Sequence, residues 1–372
     1  MQIMQPSSPP KSFKIFSVFS VLGLGFIVLS LSMTGYFDFQ AVVIQARTRF
    51  DPVIGTPTTL NLNHWIKLPS NPMHNMTEDE LFWRASLVPK VKNYPFKRVP
   101  KVAFMFLTRG PLPLYPLWER FFQGHDGLFS IYVHALPGYV PEFGRKSVFY
   151  QRQIPSQPAE WGKMNMIEAE RRLLANALLD WSNERFVLLS ESCIPLFPFP
   201  VVYKYLIEAK YSFVGSFIDP GPHGRGRYNP RMTPEVNVSQ WRKGSQWFEV
   251  QRTLAVNMIS DTKYYLKFKE FCRPPCYVDE HYFPTMLALE SPSLISGRSV
   301  TWVDWSRGGS HPATFGKGDV TEAFLKRVKE EQKCRYNGNE SSVCFLFARK
   351  FAPSTLEPLL RFSSGVLGFS TR

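Results

Sequence analysis

Val102-Ala103-Phe104-Met105-Phe106-Leu107 is an unbroken apolar run that ends in the turn-forming sequence Thr108-Arg109-Gly110-Pro111. A short run of this kind is typical of a strand that is buried on both faces of a sheet. Two similar runs follow, Phe129 to His134 and Phe186 to Leu189, and the chain between the runs has apolar residues at helical spacing. Strands that alternate with helices predict an α/β fold with a parallel sheet.

The residues that follow these strands are expected to lie near a ligand site. In open α/β sheets, ligands bind beyond the carboxyl ends of the strands. Thr108 and Arg109 follow the first strand, His134 ends the second, and Ser190-Glu191-Ser192 follows the third. The topology therefore predicts that Thr108, Ser190 and Glu191 line a pocket.

An uncharged apolar stretch at residues 15–37 precedes the α/β region and has Lys11 and Lys14 on its N-terminal side. As a helix rising about 1.5 Å per residue it would cross the roughly 30 Å of a bilayer core. The lysines predict that residues 1–14 are a cytoplasmic tail. The alternative is a cleaved signal peptide, whose apolar region is normally about 7 to 15 residues long. We expect a transmembrane signal anchor at 15–37, a stem at 38–98 and a lumenal domain at 99–372.

Three Asn-x-Ser/Thr triplets agree with a secretory compartment. They begin at Asn75, Asn237 and Asn339. Such triplets are acceptors for N-glycosylation. All three are therefore predicted glycosylation sites.

The five cysteines include two pairs that are close in sequence. In an oxidising lumen, Cys272 with Cys276 and Cys334 with Cys344 predict two local disulfides, which leaves Cys193 in an apolar stretch. A zinc site is the alternative for the first pair.

The charge balance is basic, with 44 Lys and Arg against 30 Asp and Glu, a formal net charge of +14. Such a surplus is typical of proteins that bind nucleic acid, acidic glycans, lipid headgroups or phosphorylated substrates. The predicted lumenal location argues against nucleic acid, and no run of five basic residues is present. We expect the cations to be gathered by folding.

Several common catalytic motifs are absent from the expected lumenal domain. It contains no Asp-x-Asp that would hold a divalent ion against a nucleotide diphosphate, no P-loop and no Gly-x-Ser-x-Gly turn. For a nucleotide-sugar substrate, Arg and Lys side chains would then have to neutralise the phosphates. Arg349 and Lys350, directly after an apolar run, are candidates, although a solvated charge pair would give the same pattern.

The stretch Tyr277-Val278-Asp279-Glu280-His281-Tyr282-Phe283 places two carboxylates and an imidazole at the start of a predicted helix. Asp279 is expected to cap the helix, and Glu280 to face a cleft as a general base. Two alternatives remain: plain capping with both acids exposed, and a hydrolase that uses Asp279 and Glu280 as a carboxylate pair.

A group of aromatic residues lies in segments that also carry basic and hydroxyl side chains. Its members are Trp241, Trp247, Phe248, Trp302 and Trp305, with Arg231, Arg242, Arg252 and Ser245 nearby in sequence. Aromatic faces stack on sugar rings while polar neighbours bind hydroxyls. The pattern predicts a sugar pocket that includes Arg231, Ser245 and Trp247, although core packing explains the same residues.

Several segments in order resemble one family over nearly the whole of residues 101–360. They are Lys101 to Thr108, Phe129 to His134, Phe186 to Pro200, Gly244 to Val250, Asp279-Glu280-His281 and Leu346 to Phe351. Together they resemble the plant branch of the core-2/I-branching β-1,6-N-acetylglucosaminyltransferase family (glycosyltransferase family 14). That family also contains protein O-xylosyltransferases and plant β-glucuronosyltransferases.

The resemblance implies a metal-independent, inverting glycosyltransferase of the Golgi membrane with a GT-A-like, Rossmann-type mixed sheet. It would use a UDP-sugar and a glycan or glycoprotein acceptor, and no cofactor. Glu280 would be the catalytic base, Lys350 would contact the diphosphate, and Trp302 and Trp305 would line the acceptor site. A catalytically inactive glycan-binding or scaffold protein is the alternative.

Two positions depart from the animal members of that family. Val133-His134-Ala135 stands where they have His-Val-Asp, and Ser341 stands near the position of an Arg. The second cation for the diphosphate is therefore open, with Arg349, Arg335 and Arg327 as candidates. The donor remains open among GlcNAc, glucuronate and xylose.

Overall fold

The structure is a computed structural model that describes Leu62 and residues 71–91, 93–330 and 332–370. The predicted tail, the predicted signal anchor and residues 38–70 of the predicted stem, apart from Leu62, lie outside the described residues. Backbone contacts divide the chain into Met1–Lys67 and Leu68–Arg372, and all described residues but Leu62 belong to the second unit. In this described part, no helix has the length and apolar character that a membrane span requires.

The strands and helices alternate through the first half of the domain. The strands are β1 Lys101–Leu107, β2 Phe129–His134, β3 Asn183–Ser190, β4 Ile194–Pro195, β5 Ser212–Gly215, β6 Glu249–Gln251, β7 Ile295–Gly297, β8 Thr301–Val303, β9 Cys334–Tyr336, β10 Asn339–Ser341 and β11 Phe347–Arg349. The helices are α1 Glu78–Ala85, α2 Tyr115–Phe122, α3 Met164–Leu178, α4 Phe199–Glu208, α5 Arg252–Ser260, α6 Lys263–Phe271, α7 Tyr282–Glu290, α8 Glu322–Glu330 and α9 Leu356–Phe362.

The main sheet has the strand order β2-β1-β3-β6-β5-β7. The strand β1 is parallel to β2 and β3, whereas β6 is antiparallel to β3 and β5. The predicted α/β fold with a mixed sheet flanked by helices is confirmed. The fully parallel arrangement expected from the alternation of strands and helices holds for β1 to β3 and ends at β6.

The residues of β1 show why helices cover both faces of this sheet. Val102, Phe104 and Phe106 belong to one buried apolar cluster, which includes Trp118 and Phe122 of α2. The intervening residues Ala103, Met105 and Leu107 belong to a second cluster, which includes Leu173 and Leu174 of α3. Because side chains alternate along a strand, an unbroken apolar run supplies both clusters.

A second sheet with the order β4-β11-β8 brings the C-terminal strand to the end of β3. The strand β4 begins four residues after β3 ends and pairs antiparallel with β11, while β11 and β8 are parallel. The Phe351 amide donates to the Ser192 carbonyl at 3.0 Å. The residues after β11 therefore lie beside the turn after β3.

The last part of the predicted stem contains helix α1. Thr77 and Glu80 form a capping box at its N-terminus. Leu81 and Ala85 are buried in the second apolar cluster, and Glu78 forms a 2.6 Å ion pair with Arg172 of α3. Residues 78–85 thus pack on the domain.

Candidate active site

A cavity of about 1930 Å³ opens beyond the carboxyl ends of β1, β3, β8 and β11. Strands that end at one edge of an α/β fold form a concave site there. All but one of the predicted base, phosphate and pocket residues line this cavity: Thr108, Ser190, Glu191, Arg231, Ser245, Trp247, Glu280, Trp305, Arg349 and Lys350. The structure therefore brings together residues from distant parts of the sequence.

The turns after β1 and β3 form one wall of the cavity. The Thr108 hydroxyl donates to the Gly110 carbonyl at 3.0 Å, and the Ser190 and Ser192 hydroxyls are hydrogen-bonded at 3.0 Å. These local bonds fix both turns, because short hydroxyl side chains satisfy nearby backbone groups. Arg109 lies next to Thr108 and also lines the cavity.

Arg349 and Lys350 bring two positive charges to the same wall. The Arg349 guanidinium lies 4.0 Å from the centroid of the Trp247 ring, a cation–π contact. Burial lowers the pKa of both side chains, and repulsion from Arg349 lowers that of Lys350 further. Among the described residues neither forms an ion pair with a carboxylate, and Arg349 Nε has no hydrogen-bond partner. The charges of Glu191 on both cations and of Asp279 on Arg349 act from beyond ion-pair distance. Partly buried cations that are not ion-paired favour an anionic ligand.

Glu280 also lines the cavity, in the 3₁₀ turn Val278–Glu280, which His281 separates from α7. Its Oε2 accepts from Arg227 Nη1 at 2.7 Å, and Lys243 Nζ lies 3.6 Å away. The Gly244 amide donates to the Glu280 carbonyl at 2.8 Å, which ties the turn to the next loop. The carboxylate is held from two sides while 23% of its side chain stays exposed to the cavity.

Arg227 and Lys243 line the cavity beside Glu280, although no sequence pattern singled them out. The Arg227 guanidinium lies 4.4 Å from the centroid of the Tyr277 ring while it bonds Glu280. Arg227 ends the 3₁₀ turn Arg225–Arg227, and the Arg225-Gly226-Arg227 triplet is the signal that was available. The spacing of this triplet matches no catalytic motif. The contact of Arg227 with Glu280 is therefore evident only from the folded structure.

Asp279 does not cap the helix as predicted. His281 is the residue at the N-terminus of α7, and its side chain forms no capping bond. Asp279 is buried, with only 4% of its surface exposed, and its Oδ1 has no hydrogen-bond partner among the described residues. Burial and the adjacent Glu280 raise the pKa of Asp279 to about 7. Asp279 thus belongs to the buried 3₁₀ turn before the helix and not to the helix cap.

Trp302 is the predicted pocket residue that does not line the cavity. Its ring stacks on Phe315 at 5.8 Å and meets Phe324 at 6.1 Å. Its strand neighbours Thr301 and Val303 line the cavity instead. Alternation along β8 turns Trp302 away, so its expected contact with the acceptor is not supported here.

Three more candidates lie outside the cavity lining. His134 is fully buried, accepts from the Gln157 amide at 3.3 Å, and has a pKa lowered to about 4 by burial and Arg172. Arg335 and Arg327, both exposed, do not line the cavity either. Of the cations considered for the second phosphate contact, only Arg349 lies there.

The aromatic group divides between core and cavity. Trp241 stacks on Phe268 at 5.3 Å and on His281 at 4.6 Å, and Phe248 is buried. Trp247 and Trp305 line the cavity, and Trp305 is 49% exposed. Arg242 donates to the Ser239 carbonyl and Arg252 to the Leu178 carbonyl, both at 2.7 Å. Neither arginine lines the cavity.

The structure also places the predicted modification sites. Disulfides join Cys272 to Cys276 and Cys334 to Cys344. Because Cys272 and Cys276 form a disulfide, the zinc site considered for this pair is wrong. Cys193 is free and buried. The three predicted glycosylation sites are all exposed: Asn75, Asn237 and Asn339.

The acidic and histidine side chains of the described residues do not converge as metal ligands would. No group of three or more His, Cys, Asp or Glu side chains in this part of the chain is arranged to hold an ion. The positive charge in the cavity comes from the side chains Arg109, Arg227, Arg231, Lys243, Arg273, Arg349 and Lys350.

Comparison with known proteins identifies the family of the chain. Residues 102–329 match the family model described as Branch, the Core-2/I-Branching enzyme. The chain is 38% identical over 309 residues to "Glycosyltransferase BC10" of Oryza sativa subsp. japonica, which covers 71% of this chain and 76% of that relative. The chain is a glycosyltransferase that belongs to the core-2/I-branching enzyme family.

Proposed function

We propose that the chain transfers a sugar, with inversion, from a UDP-sugar to a hydroxyl of a glycan or glycoprotein acceptor without a resident metal ion. Glu280 would be the general base, and Lys350 and Arg349 would bind the diphosphate. One observation supports the proposal: two cations that form no ion pair among the described residues line the same cavity as a partly exposed carboxylate. The family match ends at residue 329, so the roles of Arg349 and Lys350 rest on their geometry.

The cations would act mainly on the leaving group. When the bond from the sugar to the diphosphate breaks, negative charge develops on the phosphate oxygens, and fixed cations stabilise it. Arg349 is held in place by its stacking on Trp247, and Lys350 follows it in the chain. Arg109, on the same wall, is a further cation within the cavity. Charge-assisted bonds to phosphate are among the strongest that side chains form.

The acceptor hydroxyl would be activated at Glu280. Its Oε2 is bonded to Arg227, and its Oε1 has no hydrogen-bond partner among the described residues. We therefore assign Oε1 as the atom that takes the proton while the acceptor oxygen attacks the anomeric carbon. General base catalysis of this type contributes about 10²- to 10⁴-fold, and positioning and charge stabilisation contribute further.

Trp305, which is 49% exposed and lines the cavity, would stack on a sugar ring, whereas Trp247 is buried against Arg349 and would support that cation. GlcNAc, glucuronate and xylose remain the candidate donor sugars, and a screen of radiolabelled UDP-sugars would choose among them. We also propose a single-pass type II protein of the Golgi membrane, anchored by residues 15–37, with this domain in the lumen.

Calorimetric titration of the purified full-length chain with UDP in EDTA tests the central claim. We expect binding without added metal, and we expect Lys350→Ala to weaken it about ten- to hundredfold. Lys326→Ala is the control, because Lys326 pairs with Glu322 on α8 outside the cavity. Binding that requires manganese or magnesium would overturn metal independence. No binding of UDP under either condition would favour the inactive glycan-binding alternative.

A further inference from the structure

Trp161 is a half-exposed aromatic residue of the cavity to which the proposed transfer gives no role. It lies between β2 and α3, lines the cavity, and has 47% of its surface exposed. Its ring centroid lies 4.7 Å from that of Tyr277 and 5.0 Å from that of His311, and both of these residues also line the cavity. An indole that packs on two rings and still keeps nearly half of its surface exposed offers an aromatic face to a ligand.

A continuous set of contacts joins Trp161 to the proposed base. The Tyr277 ring contacts Trp161 and also the Arg227 guanidinium, which lies 4.4 Å from its centroid and bonds Glu280. Tyr277 has a φ of 54°, a left-handed backbone conformation that is costly for a bulky residue. The Cys272–Cys276 disulfide ends at the preceding residue and restrains the chain there. Trp161 is thus held on the same side of the cavity as Glu280.

A second half-exposed indole, Trp305, is connected to Trp161 through one loop. Trp305 lines the cavity and is 49% exposed. The Ala313 amide donates to the Asp304 carbonyl at 2.9 Å, which closes residues 304–313 into a loop. His311 belongs to this loop and contacts Trp161. The two indoles therefore lie on connected parts of the cavity wall.

The cavity has room for a donor and an extended acceptor together. Its volume of about 1930 Å³ exceeds the roughly 300–1,000 Å³ of a site for one small ligand. The other tryptophan that the described residues contribute to the lining, Trp247, is buried against Arg349 on the wall proposed for the diphosphate. Trp161 and Trp305 are the indoles of the lining whose surface is open.

We propose that Trp161 and Trp305 form two acceptor subsites, each of which stacks on one pyranose ring. The acceptor is then an oligosaccharide with at least two β-linked rings, and not a hydroxyl of a bare peptide. A pyranose whose hydroxyls are mainly equatorial exposes axial C–H groups, and this apolar face packs on an aromatic ring. The inference rests on the proposed function, because it places the acceptor beside Glu280. It makes Trp161 a residue that determines acceptor specificity.

The position of Trp161 favours an acceptor sugar over the uracil ring of UDP, which also stacks on aromatic faces. The contacts of Trp161 lead to Glu280 through Tyr277 and Arg227, whereas the wall proposed for the diphosphate has Trp247 against Arg349. A single nucleobase requires one aromatic platform. Two connected platforms match two consecutive rings of a glycan chain.

The test compares probes with one and two sugar rings on the full-length chain. The probes are three matched pairs of methyl β-glycosides, with one or two β-linked rings of glucose, galactose or xylose, titrated by calorimetry with and without saturating UDP. In at least one pair, we expect the second ring to tighten binding to the wild type about three- to tenfold. Trp161→Ala and Trp305→Ala should each abolish this gain, and Trp161→Ala should leave the Kd for UDP within about twofold, because the remaining indole binds one ring only.

Trp83→Ala is the matched control, because Trp83 is 69% exposed and lies outside the cavity lining. This variant should keep the full gain from the second ring. Trp161→Phe keeps an aromatic face and should retain part of the gain, whereas Trp161→Leu keeps an apolar contact with Tyr277 and should lose it. If Trp161→Ala does not fold, the comparison of these two variants decides.

Three results would overturn the inference. They are no gain from the second ring in any wild-type pair, an undiminished gain in Trp161→Ala, and a loss of UDP affinity in Trp161→Ala as large as the loss of the gain, which would assign Trp161 to the uracil. Failure of the proposed function gives a different result. A gain that depends on Trp161, in a chain that binds no UDP with or without metal, would refute the proposed transfer and leave the two sugar subsites intact.

Discussion

Glu280 is presented to the cavity with one oxygen bonded and the other open. The bond to Arg227 fixes the plane of the carboxylate, so that the open oxygen has a defined direction. Arg227 is in turn held by Tyr277 at 4.4 Å. Removal of the Glu280 carboxylate and removal of Arg227, which orients it, should therefore lower kcat by different amounts.

Glu280→Gln should lower kcat about 10²- to 10⁴-fold and leave the Kd for UDP within about twofold, because an amide keeps the shape of the side chain but accepts no proton. Steady-state transfer kinetics and calorimetry measure the two effects. Glu142→Gln is the control, since Glu142 is exposed and outside the cavity lining. Full transferase activity in Glu280→Gln would show that another group is the base.

Arg227→Ala should lower kcat by about one to two orders of magnitude, because the carboxylate is retained but no longer oriented. Affinity for UDP should change little, since Arg227 bonds the base and not the wall with Arg349. Arg225→Ala is a matched control from the same 3₁₀ turn, because Arg225 is exposed and does not line the cavity. Equal losses in the two variants would contradict the orienting role.

The loop before β6 reaches the turn at Glu280 through a close backbone contact. A Cβ on Gly244 would overlap the carbonyl oxygen of Gly215 at the end of β5 and come within 2.7 Å of a Pro284 side-chain atom in α7. The Gly244 amide is also the donor to the Glu280 carbonyl. Glycine at this position thus allows β5, α7 and the turn at Glu280 to meet.

Gly244→Ala should reduce the free energy of unfolding by about 1–3 kcal/mol or more, because backbone must move to admit the methyl group. It should also lower transferase activity through the displaced Glu280. Gly318→Ala is the control: a Cβ there meets nothing within 4 Å and its φ is not positive. Urea unfolding of both variants is the measurement, and equal stability would contradict the packing argument.

The elements that were predictable from sequence are those with a local pattern. The apolar run at β1 specified a strand buried on both faces, and the strands β2 and β3 followed in the same way. Trp302 and Trp305 have the same local character, yet alternation along β8 packs the partly buried Trp302 against Phe315, away from the cavity. The face of a short strand that meets the cavity depends on the strands with which it pairs. A local sequence pattern does not reveal those partners.

The site itself depends on contacts between distant parts of the chain. Lys350 lies beside the turn at Ser190 because β4 and β11 pair, and Arg227 reaches Glu280 from 53 positions away in the sequence. Glu280 and Lys350 were predicted as site residues through the resemblance of their segments to a known family, and both line the cavity. The intervening cations Arg227 and Lys243 belong to no motif and required the fold.

Folding also determines how the whole domain responds to acid. His134 and His281 are both fully buried, and burial lowers the pKa of each to about 4. Their unfolded value is about 6.5, so the unfolded chain binds more protons than the folded domain between these values. Stability from the neutral histidines is therefore complete above about pH 6.5 and is lost as the pH falls toward 4.

His134→Gln should reduce the loss of folding stability at low pH. Glutamine keeps an acceptor for the Gln157 amide but does not titrate. Each buried histidine contributes a slope of up to about 1.4 kcal/mol per pH unit in this range. Urea unfolding at several pH values between about 4.5 and 6.5 measures the slope, with exposed His311→Gln as the control. A slope unchanged from wild type in His134→Gln would mean that His134 binds its proton equally well in the folded and unfolded chain.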